Sequence, residues 1–262
     1  MQYLKDFCEL VYSVKDTNDE NLKFIGTGNP SAQILIIGQE VALDPASEDF
    51  DFHYGLHQEN SALWYKSICS NLDFEQVNIW GRNNKNYIRE DFFPLFPYKG
   101  DQKIHKMPSN GGTSKTWKCY QKLASYVYPG LLSREEIDFH KHVFLSEMSS
   151  IPFPKSPAKN ILTAESIRIR TSKLFPNKFF EHFPVIIIAA GNYVSDKMYG
   201  IDLQKIFNQQ FIRQDPSEKY KSEWINIHEK EGRLLLHCRQ LSFCSDNLLL
   251  RLANQIRAHL GQ

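Results

Sequence analysis

The chain is poor in the features that mark specialised proteins. Its five cysteines, Cys8, Cys69, Cys119, Cys238 and Cys244, are odd in number and contain no Cys-x-x-Cys pair. That argues against a disulfide framework, a zinc ribbon or an iron–sulfur cluster, and it predicts reduced thiols with no metal or cofactor. No apolar run nears the roughly 18 residues of a membrane span, so no membrane partner is expected. Residues 1–16 alternate charge with bulk and do not form a basic and then apolar leader, which predicts a cytoplasmic protein. Neither sign of charge dominates, with 31 basic against 30 acidic residues. Contact with nucleic acid would therefore have to come from a local basic patch. The absence of repeats and low-complexity tracts excludes solenoids, collagen-like chains and disordered tails.

What is present is the composition of an ordinary globular protein: 262 residues, 42% hydrophobic and 23% charged. Two short apolar runs end at glycine, Gln33 to Gly38 and Pro184 to Gly191, and two weaker ones resemble them, His142 to Ser146 and Arg233 to His237. Continuous β-branched runs of this kind read as strands covered on both faces. Helical spacing lies between them. Ser114 is placed to cap a helix reaching Tyr128, Thr163 to Ser166 opens one toward Leu174, and Ser245-Asp246 opens the last, Asn247 to Leu260. Alternating strands and helices imply right-handed βαβ crossovers. The expectation is one α/β domain over residues 1–262, a three-layer α/β/α sandwich on a central four-stranded parallel sheet. The stretch from Asp44 to Ser109 is read as an irregular insertion with a helix near Ser61 to Leu72.

In such a sheet ligands bind at the carboxyl ends of the strands. The residues there are Gly38-Gln39-Glu40, Ser146-Glu147-Met148, Gly191-Asn192-Tyr193 and His237-Cys238-Arg239-Gln240-Leu241-Ser242. A glycine that lets backbone approach a ligand, a carboxylate beside it and a histidine on another strand suit general-base and electrophilic roles.

Phe24-Ile25-Gly26-Thr27-Gly28-Asn29-Pro30 followed by Ile34-Leu35-Ile36-Ile37-Gly38-Gln39-Glu40 resembles the first motif of the uracil-DNA glycosylase superfamily. His237-Cys238-Arg239-Gln240-Leu241-Ser242 matches part of its second, and the likeness runs from about Phe24 to Leu260. The resemblance implies a DNA glycosylase, a hydrolase that cleaves the N-glycosidic bond of a flipped uracil or related damaged base, with DNA as partner. It implies that Glu40 orients water, that the backbone of Gln39 helps hold the base beside Gly38, and that His237 steadies the departing base. Leu241 matches a wedge that fills the gap left by the flipped nucleotide, and Ser242 a phosphate contact. The residue that reads the base edge is Ser146 or Glu147, and Asn192 stands at a further strand end. The chemistry requires these roles, because the base must leave the stack and the bond breaks through an oxocarbenium-like state. The chain departs from the pattern at Val41-Ala42, where the family has Pro-Tyr, and at Cys238-Arg239, where it has Pro-Ser. Two rival readings follow: a non-catalytic nucleic-acid-binding module of the same fold, and a hydrolase of small nucleosides or nucleotides.

Charge along the chain points both ways. Six acidic residues from Glu40 to Glu59 (Glu40, Asp44, Glu48, Asp49, Asp51, Glu59) lie without a Lys or Arg among them. Between Lys155 and Glu181 six basic residues (Lys155, Lys159, Arg168, Arg170, Lys173, Lys178) face two acidic ones, a stripe able to neutralise phosphates or simply a solvated face. Arg239 is a candidate phosphate contact inside the second motif. The pairs His53/His57 and His140/His142 lack an evident third ligand. Asn110 to Trp117 has the residue types of a phosphate cradle but not its spacing.

Overall fold

A computed structural model describes residues 2–41, 43, 50–69, 114–130, 136–153, 161–195, 197–217 and 220–261. Among these lie seven strands: β1 (Thr27–Gly28), β2 (Ile34–Gly38), β3 (Val143–Glu147), β4 (Val185–Ile188), β5 (Phe211–Asp215), β6 (Ile225–Lys230) and β7 (Arg233–Cys238). They form one sheet in the order β1-β3-β2-β4-β7-β6-β5. The four apolar runs read in the sequence are β2, β3, β4 and β7, which neighbour one another and run parallel. The sheet as a whole is larger and mixed, a correction to the four-stranded parallel expectation. β1 joins β3 antiparallel, and β6 and β5 extend the other side antiparallel. β1 and β5 lack the sequence signal of a buried strand for a physical reason. β1 has two residues, and β5, an edge strand, is exposed at four of its five positions, so neither has the apolar run that burial imposes.

Helices cover both faces. On one side α1 (Gln2–Val14), α4 (Asn60–Cys69), α6 (Ile161–Ile169), α7 (Lys178–Glu181) and α8 (Leu203–Phe207) pack over Leu35, Ile37, Phe144, Ile186 and Ile188. On the other side α5 (Lys115–Val127) and α9 (Asp246–Leu260) pack over Ile34, Ile36, Val143, Leu145, Ile187 and Leu236. The odd and even residues of each strand are thus shared between two cores, as the twofold period of a strand requires. The caps read from the sequence are in place: Ser114 Oγ accepts from Trp117 N at 3.1 Å and Ser245 Oγ from Leu248 N at 3.3 Å. The helix expected near Ser61 to Leu72 runs from Asn60 to Cys69, preceded by α3 (Phe50–Gln58), with α2 (Glu20–Lys23) between α1 and β1. The helix expected to open at Thr163 begins at Ile161 and continues as a π turn, Arg170–Leu174.

The chain steps from β2 outward to β3, then crosses back to place β4 on the other flank of β2. The connections out of β2 and out of β4 therefore lead in opposite directions, toward β3 and toward β5, β6 and β7. The carboxyl ends of these two strands are the usual place for a ligand in an open α/β sheet.

Candidate active site

Backbone pairing brings the strand ends together. Beyond β2, Gly38 O and Gln39 O accept from Met148 N at 2.9 Å and Ser149 N at 2.8 Å, which locks the Gln39-Glu40 turn to the end of β3. The Gln39 side chain joins the ends of β2 and β4, donating from Nε2 to Ala190 O at 3.0 Å. Gly191 follows with φ +54, a left-handed conformation that a side chain disfavours. A Cβ there would lie 3.5 Å from Gln240 N and 3.8 Å from Gln39 Nε2, so the turns after β2, β4 and β7 meet at this glycine.

Two carboxyl groups occupy the site. Glu40 is buried and its Oε2 accepts a 2.6 Å hydrogen bond from the Tyr193 hydroxyl. Glu147, at the end of β3, lays its carboxyl directly over Gly38: a Cβ on that residue would sit 2.1 Å from Glu147 Oε2. Glycine at position 38 is thus the space in which Glu147 fits. Burial raises the Glu147 pKa to about 8, the negative charge of Glu40 adds to the shift, and the Arg170 guanidinium opposes it. At neutral pH Glu147 is mainly protonated. It offers one O–H donor and one carbonyl acceptor where an ionised carboxylate would offer acceptors alone. A buried acid that keeps its proton at neutral pH is the kind of group to which a donor role is assigned.

Ser146 and Glu147 point to opposite faces of the sheet, and the serine is committed to packing. Ser146 Oγ donates to Ile25 O at 2.8 Å and accepts from Arg170 Nη2 at 3.1 Å. Arg170, inside the π turn and fully buried, also donates to Glu147 O, Asn21 O and Phe24 O. Arg170 is therefore removed from the basic stripe expected to meet phosphate, because every one of these acceptors is internal. Arg168, Lys173 and Lys178 of that stripe are exposed, while Lys155 and Lys159 lie outside the described residues. So do Asp44, Glu48 and Asp49 of the acidic segment and Asn110 to Thr113 of the glycine-rich one.

His237 is buried at the end of β7. Its Nε2 lies 3.0 Å from Gly191 O, and since a carbonyl only accepts, Nε2 carries the proton. Nδ1 then accepts from Asn226 Nδ2 at 3.3 Å, and Asn226 Oδ1 accepts from Gln214 Nε2 at 2.8 Å. Burial lowers the His237 pKa to about 4, with the bond to Gly191 O pulling the other way and His228 adding to the fall. The imidazole is neutral, its edge against Trp224 at 4.8 Å between centroids, and both its nitrogens are held by protein. The direct contact with a departing base expected of its Nε2–H is taken by Gly191. His237 is in this structure a positioning residue for the turn that carries Tyr193. The relay from Gln214 through Asn226 had no signal in the sequence, since it depends on β5 and β6 lying beside β7.

Leu241 overturns its expected role. It is fully buried in the core under α5 and α9, where it cannot enter a base stack. Ser242 and Arg239 are half-buried, and Arg239 Nη1 donates to Ser222 Oγ at 3.2 Å. Asn192 is exposed, and its backbone oxygen accepts from Ser195. Tyr193, next to Asn192 at the end of β4, is the partner of Glu40.

Compared with known proteins, the chain matches no family model, no curated protein and no solved structure.

Among the described residues no group of three or more His, Cys, Asp or Glu side chains is placed to hold a metal ion. His140 is buried with Nε2 3.2 Å from Thr27 Oγ1. His57 stacks on Phe24 at 3.8 Å, with neither ring nitrogen hydrogen-bonded among the described residues. No described helix is long and apolar enough to cross a membrane.

Proposed function

We propose that this chain is a hydrolase of N-glycosidic bonds that acts on a flipped uracil or related damaged base in DNA, on a fold like that of the uracil-DNA glycosylase superfamily. The observation that carries the reading is the pair of buried carboxyl groups at adjacent strand ends, Glu40 bonded to Tyr193 and Glu147 over Gly38 with its pKa raised to about 8. Cleavage of a glycosidic bond calls for an anionic group beside the sugar, where positive charge develops, and a neutral donor at the base. Glu40 orients the attacking water and stabilises the oxocarbenium-like state. The Tyr193 hydroxyl fixes one of its oxygens. Glu147 reads the base edge: a protonated carboxyl pairs with an amide edge, N–H to its carbonyl and O–H to the base oxygen, as a carboxamide would. Ser146 is left out of this role by its bonds to Ile25 and Arg170.

The test is release of free base from labelled oligonucleotides, single- and double-stranded, containing uracil, hypoxanthine or xanthine. Release that disappears in Glu40→Gln supports the reading. A folded wild-type protein that frees no base from any of them overturns it.

The burial of Leu241 favours one second reading, a small nucleoside or nucleotide as substrate, because such a molecule needs no wedge to replace it in a stack. Free nucleosides and mononucleotides in the same assay separate the two.

A further inference from the structure

Glu223 N donates to Tyr220 O at 2.9 Å, closing a turn that leads into β6. Arg239, just beyond β7, reaches this turn from the other strand of the hairpin and donates from Nη1 to Ser222 Oγ at 3.2 Å. Trp224 follows, its ring 4.8 Å from that of His237, whose Nε2 holds Gly191 O at 3.0 Å in the turn that brings Tyr193 to Glu40. Lys221, Ser222, Trp224 and Arg239 thus continue the candidate site outward on the β7 side. Lys221 and Ser222 are exposed, and Trp224 and Arg239 are half-buried. We propose that this surface binds a single strand of DNA beside the flipped nucleotide, with Lys221 and Arg239 on its phosphates and an adjoining base stacked on Trp224.

Charge and ring chemistry select this partner. Among the described residues neither Lys221 nor Arg239 is ion-paired, and the Trp224 indole N–H has no acceptor. Arg239 carries five N–H donors and gives one of them to Ser222, so the guanidinium keeps donors for an anion. Glu223, the acid of this turn, is buried and turned inward, its carboxylate accepting from Ser245 N at 2.7 Å. Two cations and an indole beside a site for a nucleotide are the set that tracks a phosphate backbone and offers a base a stacking face. A single strand fits better than a duplex for two reasons. The face of a base can reach Trp224 only when it is not stacked between neighbours in a helix. Leu241 is buried and does not fill the gap that a flipped nucleotide leaves in a duplex, whereas an unpaired strand leaves no such gap. The assignment rests on the reading above in taking the nucleotide at the site to belong to a strand.

Fluorescence anisotropy of labelled oligonucleotides containing one uracil, single- and double-stranded, measured with the whole chain over a range of salt, tests this apart from base release. The wild type is expected to bind the single strand more tightly than the duplex. Trp224→Ala is expected to weaken single-strand binding by about 5- to 150-fold, the worth of one stacked base, and Trp224→Phe, which keeps a ring, by less. Lys221→Gln and Arg239→Gln are each expected to lower the slope of log affinity against log salt by about 0.7, the share of one phosphate contact on a single strand. No binding at low salt, tighter binding of the duplex, full affinity in Trp224→Ala, or unchanged salt slopes in both Gln variants overturns the proposal. Lys221 is exposed, so its variant decides the phosphate contact even where a change at Trp224 unfolds the chain. Binding that depends on Trp224 without release of any base overturns the glycosylase reading and leaves this surface standing; base release with tighter binding of the duplex does the reverse.

Discussion

The Tyr193 hydroxyl donates a 2.6 Å hydrogen bond to Glu40 Oε2 from 153 residues away in the chain. Tyr193 reaches it from the turn after β4, whose shape depends on Gly191 and whose Gly191 carbonyl is held by His237. Removing the carboxylate charge with Glu40→Gln is expected to lower base release by about 10²- to 10⁴-fold, the span of a positioned acid–base group. Tyr193→Phe is expected to cost about tenfold to a hundredfold, the worth of one hydrogen bond to a charged group. Single-turnover base release for the two variants measures both. Equal activity in wild type and Tyr193→Phe would remove the tyrosine from the mechanism.

Glu147 ties activity and stability to pH. Its pKa is raised from 4.5 to about 8 by burial and by Glu40, so between those values the unfolded chain has released a proton that the folded chain keeps. The contribution of Glu147 to stability is therefore complete below about 4.5 and is lost as pH rises through about 8. Base release is expected to fall as pH passes 8. Glu147→Gln keeps a donor and an acceptor without the proton, and it is expected to retain release and flatten that limb, while Glu147→Leu loses release. A Gln variant with an unchanged alkaline limb would show that another group causes it.

The buried histidines act in the opposite sense. His57 and His140 are lowered to about 3 and His237 to about 4, each chiefly by burial. The unfolded chain takes up these protons near 6.5 and the folded chain does not, so this stability is present above 6.5 and is lost as pH falls toward 4. Each group adds a slope of up to about 1.4 kcal/mol per pH unit in that window. Denaturant midpoints for His140→Gln and wild type should converge as the pH is lowered. Parallel curves would mean that His140 is not buried neutral.

A methyl group at position 38 competes for the space of the Glu147 carboxyl. Gly38→Ala is expected to destabilise the protein by about 1–3 kcal/mol, as overpacking does, and to abolish release. Glu147→Ala in the same chain should restore much of the stability and none of the activity. Thermal unfolding of the single and double variants would reveal this non-additivity, whereas additive effects would place the two residues apart.

Leu241→Ala is expected to cost about 2–5 kcal/mol, the range for a large-to-small change in a core. A leucine poised outside the site to enter a base stack would cost almost nothing. Urea unfolding distinguishes the two.

The sequence by itself determined the parallel centre of the sheet and the two-sided helix cover. Strands buried on both faces must be continuously apolar, and Ile34 to Ile37 and Val185 to Ile188 are. It also determined the caps at Ser114 and Ser245, since a cap is a contact between residues a few positions apart. For the same reason Glu40, Glu147 and His237 could be named as residues at strand ends. What they do there was decided by contacts that no local pattern encodes. Ser146 and Glu147 are adjacent in sequence, yet strand alternation sends one to Arg170 and the other over Gly38. Leu241 and Arg170 read as surface residues by motif and by charge, and the fold buries both. The hold of Tyr193 on Glu40 spans 153 residues, and that of Asn226 on His237 depends on the pairing of β6 with β7. Only the tertiary structure decides such pairs, because burial, protonation and hydrogen-bond partner are properties of the packed neighbourhood and not of the residue.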